Sequence, residues 1–183
     1  MLGVLAGIAI QVYHGSMSSI VFIGFRGSGK STLGKWLAAD LGEQFIDTDD
    51  VVLAHLGFST VSEAWQSVGE VGWREAEELL IPELLEKNAV ISLGGGAPML
   101  QQVATALIKS KIVIHLISSE EATLNRIAKG EDRPALSATD LEVRLERLPA
   151  YGSLATFTVA TSCAIEESKQ CILEILDSVD ERS

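Results

Sequence analysis

The chain has 183 residues and a mass of 19.6 kDa, enough for one domain whose core needs no disulfide or structural metal. Hydrophobic residues make up 47% of it and charged residues 21%, a balance that excludes an intrinsically disordered chain. Acidic residues outnumber basic ones by 25 to 14, and the net charge of −11 argues against a nucleic-acid partner, because phosphate backbones are held by clustered Lys and Arg.

The cysteines and the amino-terminal stretch indicate a cytoplasmic protein without a membrane anchor. Cys163 and Cys171 match neither a redox pair nor a zinc site, so we interpret them as reduced thiols. The apolar stretch 2–12 is too short to span a bilayer, and no positive charge precedes it as in a secretory signal. Met17 stands just before the first convincing strand. Residues 1–17 are therefore interpreted as an N-terminal extension, or as residues upstream of the true start, and residues 18–183 as one domain.

Unalternating apolar runs predict strands that are buried on both faces. In chain order these runs are residues 20–23, 45–46, 89–93, 112–117 and 157–160. Helical spacing separates them, as in Leu33, Leu37 and Leu41, and later in Ala76, Leu80 and Leu84. Alternating strands and helices predict an α/β fold, a three-layer α/β/α arrangement around a five-stranded parallel sheet. Ligands of such sheets bind beyond the carboxyl ends of the strands.

The first predicted strand runs into a phosphate-binding motif. Residues 24–31 read Gly-Phe-Arg-Gly-Ser-Gly-Lys-Ser, which matches GxxxxGK[ST] between a strand and a helix. Glycines let backbone N–H groups curl around phosphates, and the following helix directs its positive end at them. Lys30 is predicted to neutralise phosphate oxygens and the Ser31 hydroxyl to ligate Mg²⁺. The predicted ATP-binding residues of this loop are Gly27, Ser28, Gly29, Lys30, Ser31 and Thr32.

Polar residues later in the chain could complete a phosphoryl-transfer site. Asp47 and Asp49 follow the second strand with side chains expected to alternate in direction, one toward a metal and one toward an acceptor, although either could instead cap a helix. A triple glycine, residues 94–96, closes the third strand and would let a ligand approach the backbone. Guanidinium groups suit carboxylates and phosphates. The arginines in informative positions are Arg74, Arg133 and Arg147.

These motifs in this order resemble the shikimate kinase family: the P-loop, Asp-x-Asp, Gly-Glu-x-x-aromatic-Arg-x-x-Glu, Gly-Gly-Gly, Arg-Pro and Arg-x-x-x-Tyr. The resemblance covers residue 18 to the C-terminus. It implies a P-loop NTPase fold of the nucleoside-monophosphate-kinase-like type with a short lid at about residues 130–139. It also implies a monomeric enzyme that uses ATP and Mg²⁺ to phosphorylate the 3-hydroxyl of shikimate in aromatic amino-acid biosynthesis.

The same resemblance implies a role for each matching residue. Asp49 would hold the acceptor hydroxyls and Asp47 would support Mg²⁺. Arg133 would reach the phosphates as the lid closes, and Arg126 would stack on adenine. Lys30, Asp49 and Arg133 would thus be catalytic. The residues that would bind shikimate are Asp49, Arg74, Gly94, Gly95, Gly96 and Arg147.

Departures from the family pattern leave the reacting groups in place, and rival functions stay open. Trp73 stands where phenylalanine is usual, Ala135 follows the Arg-Pro pair, and the P-loop carries Arg26. A kinase for a related small hydroxy acid, or a non-catalytic nucleotide-binding relative, would share most of these features. A GTPase switch would need an Asn-Lys-x-Asp motif, and the sequence has none. The acidic residues 75–78 are expected to form a solvated helix face, and His115 is assigned no chemistry.

Overall fold

The computed structural model describes residues 19–128 and 138–182. The strands in this part of the chain are β1 (Ile20–Ile23), β2 (Phe45–Asp47), β3 (Val90–Ser92), β4 (Ile112–Ile117) and β5 (Phe157–Ala160). The helices are α1 (Lys30–Leu41), α2 (Thr48–Leu56), α3 (Val61–Leu85), α4 (Gln101–Leu107), α5 (Glu120–Ala128), α6 (Ala138–Leu154) and α7 (Ile165–Asp180), with a 3₁₀ turn at Ala97–Met99. None of these helices is long and apolar enough to cross a membrane.

The five strands form one parallel sheet in the order β2-β3-β1-β4-β5. Val21 of the central strand β1 pairs with Ile91 of β3 on one side and with Val113 of β4 on the other, so apolar residues lie side by side across three strands. This confirms the predicted five-stranded parallel sheet. β1 lies at the centre of the sheet, with β3 and β2 on one side and β4 and β5 on the other. The carboxyl ends of β1, β3 and β2 therefore lie side by side, at the edge where sheets of this kind bind ligands.

Helices cover both faces of the sheet and give the predicted three layers. On one face, Phe22 and Val90 pack with α1 and α7 through residues such as Leu37 and Ile172. On the other face, Val21 and Ile91 pack with α3, α4 and α6. Val21, Ile91, Leu37 and Ile172 have no exposed surface, so the apolar runs owe their lack of alternation to burial on both sides. A smaller cluster around Val52 and Trp73 joins α2 to α3, which assigns Trp73 to the core.

Helix α3 is interrupted at Gly69. Its first half begins at Val61 and is capped by Thr60, whose side chain accepts a hydrogen bond from the Glu63 N–H in a capping box. Gly69 then takes φ 67° and ψ −177°, a conformation essentially restricted to glycine, and the helix restarts in a new direction. Arg74 therefore lies near the start of the second half of α3.

The turn from β2 into α2 places Asp47 and Asp49 differently from the expected alternation. Asp47 and Asp49 do not alternate along one strand: Asp47 ends β2 and caps α2, whereas Asp49 lies in the first helical turn. Capping and site geometry are therefore combined at Asp47, not exclusive alternatives. Arg133, most of the predicted lid and residues 1–17 lie outside the described residues, so those expectations remain predictions.

Candidate active site

The loop between β1 and α1 has the shape of an anion cradle. Gly27 and Gly29 have φ values of 76° and 101°, left-handed conformations of the kind that form anion-binding backbone loops before a helix. The Lys30 ammonium is drawn into the loop, where its Nζ donates to Gly24 O at 2.8 Å and Phe25 O at 3.0 Å. Amide dipoles, the helix N-terminus and one ammonium thus concentrate positive charge at a single point.

A hydroxyl and a carboxylate lie together beside the cradle. Ser31 Oγ donates to Asp47 Oδ2 at 2.7 Å, and Asp47 Oδ1 accepts from the Asp49 N–H at 3.2 Å. Both are hard oxygen ligands of the kind that Mg²⁺ takes alongside substrate phosphates and water. No cluster of three or more acidic, His or Cys residues that could enclose a metal occurs in residues 19–128 and 138–182. Two oxygens on one side of the cradle fit an ion that completes its shell with phosphate oxygens and water.

One cavity of about 540 Å³ joins the cradle to the carboxyl ends of β2 and β3. Its ionisable lining residues are Arg26, Lys30, Arg126, Asp47 and Asp49, so cations outnumber anions locally in a protein whose net charge is −11. The same wall includes Ser31, Gly94 and Gly95. The structure thus brings predicted donor-binding and acceptor-binding residues into one space of a size typical of small-molecule sites.

Each glycine of the 94–96 loop faces a group from a different element. A Cβ at Gly94 would overlap Asp49 Oδ1, and one at Gly96 would overlap the Arg74 guanidinium. A Cβ at Gly95 would lie 3.6 Å from Gly24 O and 3.7 Å from the Arg26 backbone N in the P-loop. The Gly94 N–H donates to Thr48 Oγ1 at 2.9 Å, which fixes the loop to α2. Close packing therefore requires glycine at positions 94 and 96, whereas an added Cβ at position 95 would make only ordinary contacts.

Glu77 is the last residue of the Gly-Glu-x-x-aromatic-Arg-x-x-Glu motif, and no role at the site was predicted for it. The expectation of a solvated face at residues 75–78 is wrong for Glu77, which is 1% exposed and bonded through Oε2 to Arg74 Nη1 at 2.6 Å. Its other oxygen, Oε1, has no hydrogen-bond partner among the described residues. The signal available in the sequence was the i,i+3 spacing of an arginine and a glutamate on one helix.

Arg74 is held between two carboxylates of its own helix. Besides Glu77, Glu70 Oε1 accepts from Arg74 Nη2 at 3.2 Å, and the guanidinium lies 5.7 Å from the Trp65 ring centroid. Burial lowers the pKa of Arg74, but the two carboxylates more than offset this and the pKa is raised overall. Burial raises the pKa of Glu77, and Arg74 reverses the shift only in part. Arg74 is therefore cationic, and its charge only partly offsets the cost of burying the Glu77 carboxylate.

Arg147 and Arg126 occupy opposite sides of the site. Arg147, on α6, acts electrostatically on both Tyr151 and Glu77, so it lies on the same side as Arg74. Arg126, on α5, donates to Gly27 O at 3.3 Å and to both the hydroxyl and the carbonyl oxygen of Thr161. Arg126 therefore connects the P-loop to the segment after β5, on the donor side.

A P-loop that shares its cavity with an acidic and arginine-lined pocket, on a parallel sheet of this order, defines a P-loop kinase of the nucleoside-monophosphate-kinase-like type. The sequence pattern described as "Shikimate kinase" matches residues 26–180, and the chain belongs to the shikimate kinase family of ATP-dependent kinases. The shikimate kinase of Caldanaerobacter subterraneus subsp. tengcongensis is 37% identical over 152 residues, which cover 80% of this chain and 88% of that protein.

Solved structures give the same family and fold. Shikimate kinase from Acinetobacter baumannii, determined in complex with shikimate, superimposes with a TM-score of 0.79 at 29% identity, covering 92% of this chain and 96% of that one. A gluconokinase from Sinorhizobium meliloti superimposes with a TM-score of 0.60 at 22% identity, covering 90% and 94%, and shares the fold alone.

Proposed function

We propose that this protein transfers the γ-phosphoryl group of ATP to the 3-hydroxyl of shikimate, giving shikimate 3-phosphate and ADP in aromatic amino-acid biosynthesis. The observation that carries the proposal is that the P-loop, Asp49 and Gly94-Gly95 line the same cavity, with Arg74 packed against the next glycine. Membership of the shikimate kinase family and the similarity to a shikimate-bound relative support the choice of acceptor.

The acceptor would be held from three sides. Arg74 and Arg147 supply the positive charge that clamps a carboxylate, and the backbone of Gly95 approaches the ligand closely because the residue has no side chain. Glu77 keeps Arg74 in place through a bond of 2.6 Å. Asp49, fixed against Gly94, would orient the 3-hydroxyl and accept its proton as the hydroxyl oxygen attacks phosphorus.

The donor phosphates would occupy the cradle. The new oxygen–phosphorus bond forms as the bond between the γ-phosphorus and the β,γ-bridging oxygen breaks, and ADP leaves with that oxygen. Lys30 and the amides of residues 27–32 would stabilise the charge that develops on the phosphoryl oxygens. Ser31 and Asp47 would hold Mg²⁺, which when bound neutralises phosphate charge. Arg126 would contact the adenine side, and Arg133, outside the described residues, would close over the phosphates with the lid.

The test is ADP release with ATP and Mg²⁺, with and without shikimate, in the wild type, Asp49→Asn and Asp50→Asn. Asp50 is the matched control because it is the next residue in the same helical turn and is exposed. We expect shikimate-dependent turnover that Asp49→Asn lowers about 10²–10⁴-fold, the usual worth of general acid–base catalysis, whereas Asp50→Asn leaves it within about twofold.

The wild-type reaction decides the acceptor. Turnover with gluconate or another hydroxy acid but not with shikimate would overturn the substrate assignment and leave a P-loop kinase. Nucleotide binding without turnover on any acceptor would support a non-catalytic relative instead.

We also propose that the enzyme is a cytoplasmic monomer with reduced thiols at Cys163 and Cys171, both of which are exposed and form no disulfide. Light scattering that gives a mass near twice 19.6 kDa would contradict the monomer.

A further inference from the structure

Tyr151 combines complete burial with a polar group that points at the site. It lies on α6 with no exposed surface, within the core cluster of Val21 and Ile91. Its ring centroid is 5.1 Å from that of His115, which lies on β4 behind the P-loop. A phenol oxygen in such a place must find partners, because an unpaired buried hydroxyl is costly.

The hydrogen-bond partner of this oxygen is a residue that lines the cavity. The Tyr151 O–H donates to Gly95 O at 2.5 Å. Arg147 lies one turn earlier on the same helix and acts electrostatically on the same phenol. Burial raises the pKa of Tyr151, and Arg147 reverses that only in part, so the hydroxyl keeps the proton that it donates to Gly95. One hydrogen bond therefore joins the loop after β3 to the helix that carries Arg147, between residues 56 positions apart in the sequence.

The joint has little freedom to relax. A Cβ placed on Gly95 would lie 3.8 Å from the Tyr151 oxygen on one side and 3.7 Å from the Arg26 backbone N on the other, so the loop lies between α6 and the P-loop. The tyrosine ring itself is fixed by the core around it. The position of Gly95 relative to Arg147 thus depends on the phenol oxygen more than on the flexible backbone of three glycines.

We propose that Tyr151 is a positioning residue that sets the separation of Gly95 and Arg147, and thereby the geometry of the carboxylate-binding half of the acceptor site. The inference rests on the proposed function, because Gly95 and Arg147 matter to the reaction only if they bind the acceptor. Tyr151 does not touch the reacting atoms and acts through these two residues.

Tyr151→Phe tests the inference because it removes one oxygen and keeps the ring. We expect the KM for shikimate to rise about tenfold, while kcat and the KM for ATP stay within about twofold, because the lost contact affects substrate and transition state equally. The matched control is Thr156→Val, since Thr156 Oγ1 also bonds a distant backbone, accepting from Val113 N at 2.8 Å and donating to Val113 O at 3.1 Å. It should lower the thermal midpoint without changing either KM.

A second comparison separates positioning from packing. If Tyr151 acts through Arg147, Tyr151→Phe should raise the KM for shikimate far less in an Arg147→Lys background than in the wild type. An unchanged KM for shikimate in Tyr151→Phe would overturn the inference, and so would equal rises in both KM values together with the fall in thermal midpoint that Thr156→Val shows. Failure of the wild type to use shikimate would instead overturn the proposed function, so the two failures are distinguishable.

Discussion

Gly96→Ala offers a purely steric way to move Arg74 without changing any charged residue. Gly96 has φ −91° and ψ −23°, which alanine adopts freely, so the backbone itself is not strained by the substitution. The new methyl group would lie 2.6 Å from Arg74 Cζ, whereas non-bonded carbons rest at about 3.5 Å or more. The guanidinium must therefore move by roughly 1 Å.

The cost of that movement follows from what holds Arg74. Its bond to buried Glu77 is 2.6 Å long and its bond to exposed Glu70 is 3.2 Å, so the displacement mainly weakens the first. Hydrogen bonds to charged groups contribute about 1.5–3 kcal/mol. If the displaced Arg74 no longer holds the acceptor carboxylate, an energy of that size corresponds to a rise of roughly 10–100-fold in the KM for the acceptor. We expect kcat/KM for shikimate to fall by that factor and the KM for ATP to change little.

The assay compares Gly96→Ala with Gly152→Ala and with Arg74→Ala. Gly152 lies in α6 with nothing within 4 Å of an added Cβ, so its substitution should be neutral or slightly stabilising. Because Gly96→Ala acts through Arg74, adding it to Arg74→Ala should cost little more. Full additivity of the two substitutions, or an unchanged KM in Gly96→Ala, would refute the steric reasoning.

Two further predictions concern stability. Gly69→Ala should lower the free energy of unfolding by about 1–3 kcal/mol, because alanine does not tolerate φ 67° with ψ −177°; calorimetry that shows no loss would contradict the strain at this kink. Burial, and then the charge of Lys30, lower the pKa of His115 in the folded protein below its usual 6.5. The His115 imidazole therefore binds a proton more readily in the unfolded chain than in the folded protein. The contribution of His115 is therefore complete above pH 6.5 and is lost as the pH falls toward its folded value. Denaturant titrations of the wild type and His115→Gln between pH 5 and 7 should show that fall only in the wild type, and parallel curves would refute it. Glu77 acts in the opposite sense, because its raised pKa makes its contribution decline with rising pH, and the comparison of the two proteins cancels it.

The sheet was predictable because burial on both faces leaves a strong trace in the sequence. Continuous apolar runs located all five strands, and the P-loop motif fixed the start of α1. Helix α2 was not predicted from periodicity, although Asp47, two acidic residues in the first turn and Gly57 at the end are ordinary helix boundary signals. Short helices give too few turns for a reliable period, so their caps carry more information than their apolar face.

The site was predictable as a set of residue types but not as a set of contacts. The motif order identified Lys30, Asp49, Arg74 and Arg147, and the described structure places them around one region. Glu77 was missed because a charged residue in an acidic run is usually solvated, and only tertiary packing buries this one. The bond from Tyr151 to Gly95 joins residues 56 positions apart, and no local pattern reports such a distance.

The loop of three glycines has a consequence for how the two ligands influence each other. Its members contact Asp49 on α2, the backbone of the P-loop, and Arg74 on α3. Three elements therefore meet at a loop that has no side chains of its own. A ligand that orders any one of these elements must also restrict the others, and the entropy lost at the first binding event is not lost again at the second. ATP and the acceptor should therefore each tighten the binding of the other by the same factor.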